Sequence, residues 1–165
     1  MKKVLMTLVV VAAFATMPAK AQDLSSDYQT ALGVKLWGDG GGISLKHFVG
    51  NNNALEGIGY FWRGGTRITG LYEFHNDIAG APGLKWYVGP GVHVGFYNRY
   101  YYNRNYDNNL RTSGTYIGID GVLGLDYKFN GAPINLSVDW QPSFEFGDNQ
   151  GFVGSWGGLG IRYTF

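Results

Sequence analysis

The sequence contains no cysteine among its 165 residues, which excludes disulfides and metal–thiolate sites. After the N-terminal segment there is no run of about 18 apolar residues, so the mature chain is not predicted to contain a membrane-spanning helix. An excess of charge of one sign is also missing, because 13 Lys and Arg stand against 12 Asp and Glu. Since the basic residues form no block or stripe, a nucleic-acid partner is not expected.

The N-terminal segment has the pattern of an export signal. Two lysines precede an apolar stretch over residues 4–17, and the small residues of Ala19-Lys20-Ala21 follow it. The stretch is short for a membrane-spanning helix. We therefore predict a cleaved signal peptide over residues 1–21 and a single mature domain over residues 22–165.

Glycine and aromatic residues are abundant, with 27 Gly, 12 Tyr, 10 Phe and 5 Trp. Glycine disfavours helices by about 1 kcal/mol relative to alanine, whereas aromatic residues favour strands. Apolar and polar residues alternate with a period of two in eight segments, separated by turns rich in Gly, Asn, Asp and Pro. The predicted strands are residues 30–37, 42–48, 54–62, 66–74, 84–97, 115–129, 133–146 and 152–165. Pro90 and Pro142 fall within two of them, where proline removes a ladder donor, and each is predicted to mark a β-bulge.

The two faces of these strands differ in composition. One face carries Leu, Ile, Val and aromatic residues and no charge within the strands. The other carries the charged residues and many glycines, as expected where space is scarce. An apolar outer face is tolerable in lipid, and closure of the sheet satisfies its backbone groups there. We predict an all-β fold, an eight-stranded antiparallel up-and-down transmembrane β-barrel with both chain ends in the periplasm.

Charged residues on the inner face are predicted to fill the lumen. The candidates are Lys35, Lys46, Glu56, Arg67, Glu73, Asp120, Asp126, Asp139, Glu145 and Arg162. Hairpin registers place Lys46 near Glu56, Glu56 near Glu73, and Lys35 across the first turn from Lys46. Such a cluster is either the gate of a small pore or a salt-bridge network in a sealed lumen. The narrow interior of an eight-stranded barrel favours the sealed lumen.

The last residues, GLGIRYTF over positions 158–165, are apolar at every second position and end in Phe165. They resemble the C-terminal signal of the small eight-stranded outer-membrane barrels of Gram-negative bacteria, the OmpA/OmpX type. The stretch GIDGVLGLDYKFNGAPINLSVDWQPSF, residues 118–144, resembles a hairpin of the same group. The resemblance covers the mature chain. It implies an outer-membrane location among lipid and lipopolysaccharide. It also implies recognition by the barrel-assembly machinery through Gly160, Ile161, Tyr163 and Phe165, with Phe165 pairing against the first strand.

This fold carries adhesins, structural proteins, small-pore formers and lipid-modifying enzymes, so the resemblance does not imply one activity. Ser, His and Asp residues suited to hydrolysis share the inner face: His75, His93, Ser137, Asp139 and Ser143. An enzyme acting on membrane lipid needs its nucleophile at the lipid-facing wall or the outer rim. We therefore expect no catalytic residue, metal or cofactor. The alternatives are an enzyme that modifies lipid or lipopolysaccharide, a small-pore former, and a soluble lipocalin-type barrel with an apolar interior.

The longest predicted external loop alternates aromatic residues with Arg and Asn. Its binding candidates are Arg99, Tyr100, Tyr101, Tyr102, Arg104 and Tyr106, residue types that are favoured at binding surfaces. The tyrosines can equally belong to the outer aromatic girdle of the barrel. The expected role is structural or adhesion-like, in a monomer whose outer loops meet an unidentified extracellular ligand.

Overall fold

The structure is a computed structural model that describes residues 28–38, 40–98, 113–146 and 151–165. The predicted signal peptide and the six loop candidates lie outside these residues. Within the described residues no helix is long and apolar enough to cross a membrane. The chain forms ten strands there: β1 Thr30–Trp37, β2 Gly40–Phe48, β3 Asn53–Trp62, β4 Gly65–Asp77, β5 Leu84–Asn98, β6 Ser113–Lys128, β7 Ile134–Trp140, β8 Ser143–Phe146, β9 Gly151–Val153 and β10 Gly157–Thr164.

The strands form one closed antiparallel ring. Neighbours in sequence pair from β1 to β7, and β10 returns to pair with β1. Strands β7 and β8 both pair with β6 and together occupy one position in the ring. Strand β10 pairs with β7, and β9 pairs with β8, so β9 and β10 also share one position. The ten strands therefore occupy eight positions. The predicted fold class, an all-β eight-stranded antiparallel barrel, is confirmed.

The barrel has two ends. The terminal end carries the start of β1, the end of β10, and the turns that follow β2, β4 and β6. Two of these turns use glycines, Gly83 at φ +84° and Gly131 at φ +75°, a conformation that residues with a side chain rarely adopt. The opposite end carries the connections after β1, β3, β5 and β8.

Two of the predicted strands are interrupted at neighbouring positions. Residues 133–146 form β7 and β8, separated by Gln141 and Pro142, and residues 152–165 form β9 and β10, separated by residues 154–156. Residues 154–156 therefore lie opposite Gln141 and Pro142, three residues against two. The pairing register between the two strands shifts by one residue across this gap. An extra residue of this kind is a β-bulge. The bulge predicted at Pro142 lies instead on the neighbouring strand.

A second bulge, predicted at Pro90, is wrong. Pro90 lies within β5 and pairs with Gly121 of β6. Pairing between β4 and β5 is skipped at Gly89 and Pro90, yet its register is the same before and after them. Because proline has no N–H to donate, a missing ladder bond suffices and no residue is inserted.

The alternation of the sequence sorts side chains to the two faces of the wall. Many large hydrophobic side chains on the outer face are 36–68% exposed, and others there, such as Leu32 and Val94, are partly buried. The inner face carries buried charged and polar side chains. The barrel is therefore inverted relative to a water-soluble domain, with its ionic groups inside.

Candidate functional site in the barrel lumen

Lys46 lies at the centre of an inner charge network. Its Nζ is 2.8 Å from the Glu73 carboxylate, 3.3 Å from Asp126 and 3.6 Å from Glu56. The ammonium also lies 4.2 Å from the ring centroid of Tyr87. The strands β2, β3, β4 and β6 thus each send one charged group to a single point in the lumen.

Arg162 joins the last strand to this network. Its guanidinium pairs with Glu56 and donates hydrogen bonds to Ser44 Oγ at 2.7 Å, Ser137 Oγ at 2.7 Å and Asn135 Oδ1 at 3.3 Å. A guanidinium offers five N–H donors in a fixed fork. Arg162 therefore bonds to groups on both sides of the β1–β10 seam.

Lys35 extends the network toward the opposite end. Its Nζ lies 2.6 Å from Asp139 and 3.5 Å from Glu56. Asp139 also accepts hydrogen bonds from the Tyr87 hydroxyl at 2.6 Å and from Gln141 Nε2 at 2.8 Å. Each ion of this network thus has an oppositely charged neighbour, as burial of charge requires.

Aromatic rings close the lumen at the terminal end. Tyr28 precedes β1, and its hydroxyl lies 3.2 and 3.3 Å from the two carboxylate oxygens of Asp126. Its ring meets Phe48 edge-on at 5.1 Å, and Phe48 meets His75 at 4.9 Å. Burial and the neighbouring Asp126 charge raise the pKa of the Tyr28 phenol, so it stays a hydrogen-bond donor.

A second charge cluster lies nearer the opposite end. Arg67 pairs with Asp120, lies 3.8 Å from Glu145, and donates a hydrogen bond from Nε to Thr69 Oγ1 at 3.1 Å. His93 Nδ1 lies 2.9 Å from Asp120. These groups come from β4, β5, β6 and β8, so they do not depend on the seam between first and last strands.

An apolar cluster inside the lumen was not predicted from the sequence. Its members are Ile58, Tyr60, Leu71, Tyr87, Val122 and Trp156. The signal was present, because Ile58 lies two residues after Glu56 and Val122 two residues after Asp120. Positions two apart on a strand share a face. The interior is therefore ionic in two clusters, with apolar packing between them.

Trp156 closes the lumen at the opposite end. Its side chain is 5% exposed and stacks on Trp37, with ring centroids 4.2 Å apart. The Arg67 guanidinium lies 4.3 Å from its ring centroid. The rings of Trp62 and Tyr60 complete the contact at 5.3 and 5.5 Å. No feature of the sequence indicated this role, because it depends on the bulge in the last strand.

All ten predicted lumen residues lie inside the barrel, with 0–8% of their surface exposed. Lys46 and Glu56 are direct cross-strand partners, as the sequence predicted. Glu73 instead lies opposite Ala54, and Lys35 lies opposite a glycine of β2. The four charges still meet, because their long side chains reach along the lumen axis.

Buried carboxylates outnumber buried cations in the described part of the lumen. The carboxylates are Glu56, Glu73, Asp120, Asp126, Asp139 and Glu145, and the cations are Lys35, Lys46, Arg67 and Arg162. Two imidazoles, His75 and His93, lie beside carboxylates. The interior field therefore favours cations over anions.

Inner-face glycines make room for large neighbours. A Cβ on Gly124 would lie 2.5 Å from the Tyr87 ring and 2.7 Å from Asp139 Cβ, and one on Gly118 would lie 2.4 Å from the His93 ring. By contrast, a Cβ on the outward Gly70 would meet nothing within 4 Å. This agrees with the expectation that space is scarce on the inner face.

Gly124→Val is expected to lower the free energy of unfolding by about 1–3 kcal/mol through overpacking. The matched variant Gly70→Val adds the same side chain to the outer face and should be close to neutral. Equilibrium unfolding in detergent micelles measures both. Equal losses for the two variants would contradict the assignment of faces.

The Ser, His and Asp residues that share the inner face do not assemble into a nucleophile–base pair in the described residues. Ser137 Oγ accepts a hydrogen bond from Arg162, and Ser143 Oγ has no hydrogen-bond partner there. Among the described residues, the Thr30 hydroxyl is hydrogen-bonded to a histidine, with Thr30 Oγ1 lying 2.8 Å from His47 Nδ1. No described group of three or more His, Asp or Glu residues is arranged to hold a metal ion.

The predicted assembly residues lie along the seam. Gly160, Ile161 and Tyr163 pair with residues of β1. Phe165 exchanges two backbone hydrogen bonds with Thr30, at 2.9 and 3.0 Å. The chain end is thus the edge that closes the ring, and the Phe165 side chain stays exposed on the outer face.

Comparison with known proteins supports the architecture. No protein-family model matches the chain, and no curated protein sequence matches it either. The crystal structure of the N-terminal β-barrel domain of Pseudomonas aeruginosa OprF is similar, with a TM-score of 0.58. The match covers 84% of this chain and 100% of that domain at 18% identity. At this identity the likeness shows the fold alone.

Proposed function

We propose that this protein is an integral outer-membrane β-barrel with a plugged polar lumen, whose role is structural or adhesion-like at the cell surface. The observation that carries the proposal is the inverted wall. Its outer face is apolar around the ring, while its charged groups are paired inside. The OprF-like fold supports the barrel, and the predicted export signal supports the location.

The outer face suits lipid and not water. Val92, Ile43 and Ile117 each keep more than half of their surface exposed. Exposed apolar surface in water is unfavourable by about 25 cal/mol per Å², whereas acyl chains accept it. Among the described residues, strands β1 to β8 and β10 each pair with a neighbour on both sides, as a bilayer requires of a spanning wall. A soluble lipocalin-type barrel would need the reverse arrangement, with an apolar interior.

The terminal end is assigned to the periplasm and the opposite end to the cell surface. Outer-membrane barrels have short periplasmic turns and longer external loops. The terminal-end turns are short, and the long connection between β5 and β6 lies at the opposite end. In this orientation Gly160, Ile161, Tyr163 and Phe165 approach the barrel-assembly machinery from the periplasm. Lipid and lipopolysaccharide surround the monomeric barrel.

The opposite end offers a strand edge for a surface partner. Among the described residues β9 pairs with β8 alone, since β1 ends at Trp37. Free N–H and C=O groups on such an edge can accept an extended segment of another protein. The six loop candidates Arg99, Tyr100, Tyr101, Tyr102, Arg104 and Tyr106 remain predictions for the same end.

Four measurements separate this proposal from its rivals: membrane fractionation, mobility on heating, channel recording and analysis of lipid A. The mature protein should fractionate with outer membranes, shift in mobility on heating, and show no channel steps in planar bilayers. Cation-selective steps in the unaltered protein would support the small-pore alternative, because carboxylates are in excess in the described lumen. Altered lipid A in cells that express the protein would support the enzyme alternative. A freely soluble folded monomer would contradict the membrane assignment.

A further inference from the structure

The segment of residues 154–156 is attached to the barrel in a way that allows it to move. It lies between Gly151 and Gly157, which have φ values of +154° and +148°. On one side, β9 is joined to the sheet by three residue pairs with β8. On the other side, β10 pairs with β7 from Gly157 onward and with β1 from Leu159 onward. A displacement of this segment therefore leaves the closed ring intact.

Specific contacts hold the segment over the lumen. Trp156 stacks on Trp37 and covers the Arg67 guanidinium. The Trp37 indole N–H donates to Ser155 O at 2.6 Å, and the Trp140 indole N–H donates to Gly154 O at 2.8 Å. One backbone hydrogen bond also ties the segment to the neighbouring strand, because the Gln141 N–H donates to Trp156 O at 2.9 Å. The remaining contacts named here involve side chains and can break one at a time.

The charge cluster around Arg67, which Trp156 covers, is incompletely satisfied. His93 Nε2, which lies 3.8 Å from Glu145, and Ser143 Oγ have no hydrogen-bond partner within the described residues, although both side chains are buried. Unpaired buried polar atoms are unfavourable and gain hydrogen bonds when water enters. Hydration of these two atoms would offset part of the aromatic contact that is lost when Trp156 moves.

We propose that residues 154–156 form a hinged plug that opens the outer part of the lumen to water at the cell surface. The inner network around Lys46 and Arg162 stays closed behind it, so opening creates a vestibule and not a pore. This inference rests on the orientation given under the proposed function, in which the opposite end faces the outside.

Because the chain has no cysteine, single-cysteine labelling tests the plug. Thr69→Cys places a thiol beside Arg67, below Trp156. Ala31→Cys places one deep in the lumen, opposite Lys46. Each cysteine variant is made with unaltered Trp156 and again with Trp156→Gly. The proteins are refolded into vesicles and treated from outside with a membrane-impermeant cationic methanethiosulfonate reagent. Trp86→Gly, an outward tryptophan near the terminal end, is the matched control.

The thiol of Thr69→Cys should react slowly but completely when Trp156 is present, and about tenfold faster or more in Trp156→Gly, where the stacking and cation–π contacts are lost. Trp86→Gly should not change the rate, and the thiol of Ala31→Cys should stay protected throughout. Trp156→Leu keeps an apolar side chain but loses the aromatic stacking, so the thiol at position 69 should react at an intermediate rate. This variant replaces Trp156→Gly in the comparison if the glycine variant folds poorly.

Equal rates with and without Trp156 would overturn the plug. The plug would also be overturned if the thiol at position 69 never reacts while Trp156 is present, because the segment of residues 154–156 would then be fixed in place. Failure of the membrane proposal is distinguishable, since the protein would then fold without lipid and show no heat-dependent shift in mobility.

Discussion

Replacing Arg162 with methionine is expected to lower the free energy of unfolding by about 3–5 kcal/mol, the effect of removing one partner from a buried ion pair. The substitution leaves Glu56 without its guanidinium partner and removes the donors to Ser44 and Ser137. Lys35 and Lys46 remain at 3.5 and 3.6 Å from Glu56 and cannot replace those hydrogen bonds. Equilibrium unfolding of the refolded protein in lipid vesicles measures the loss.

The double variant Arg162→Met with Glu56→Gln provides the control. Removing both charges leaves no unpaired ion at this point, so a large part of the lost stability should return. The sum of the two single effects should therefore exceed the effect of the double variant. Additive effects, or a loss below about 1 kcal/mol for Arg162→Met, would show that the network is hydrated and not buried.

Val92→Arg is expected to cause the second large loss of unfolding free energy. Val92 lies on β5 with 63% of its surface exposed on the outer face. If that face contacts acyl chains near the midplane, an arginine there should cost about 2–4 kcal/mol of unfolding free energy. In a water-facing wall the same substitution on an exposed position would be nearly neutral.

Val49→Arg is the matched control for this effect. Val49 is also exposed, but it lies in the turn after β2 at the terminal end. Near the interface an arginine should cost only about 0–1 kcal/mol. Unfolding in vesicles, compared for the two variants, gives the depth dependence directly. Equal tolerance at both positions would contradict a lipid-facing wall.

The sequence predicted the fold well because the decisive information is local. Alternation with a period of two assigns each residue to a face, and turn residues mark where strands end. The composition of the two faces then indicates which one is inside. This reasoning placed Lys35, Arg67 and Arg162 in the lumen although they are far apart in sequence.

Contacts within the lumen were less predictable, because they depend on the offset between neighbouring strands and on how far the side chains extend along the lumen. Glu73 meets Lys46 although the two are not direct cross-strand partners. The Trp156 plug follows from one extra residue opposite Gln141 and Pro142, and alternation alone cannot locate such an insertion. Pro142 marked the region correctly but on the wrong strand.

A nitroxide scan of β6 tests whether the apolar face of the barrel wall contacts lipid. Single cysteines at successive positions from Ile117 to Leu125 are spin-labelled in lipid vesicles, and collision with dissolved oxygen is compared with collision with a polar nickel reagent. If the wall faces lipid, collision with oxygen should vary with a period of two, highest at odd positions, including Ile119 and Leu123, and low at even positions such as Asp120. Oxygen contact that peaks at the even positions, or that shows no alternation, would contradict an apolar wall in lipid around a charged lumen.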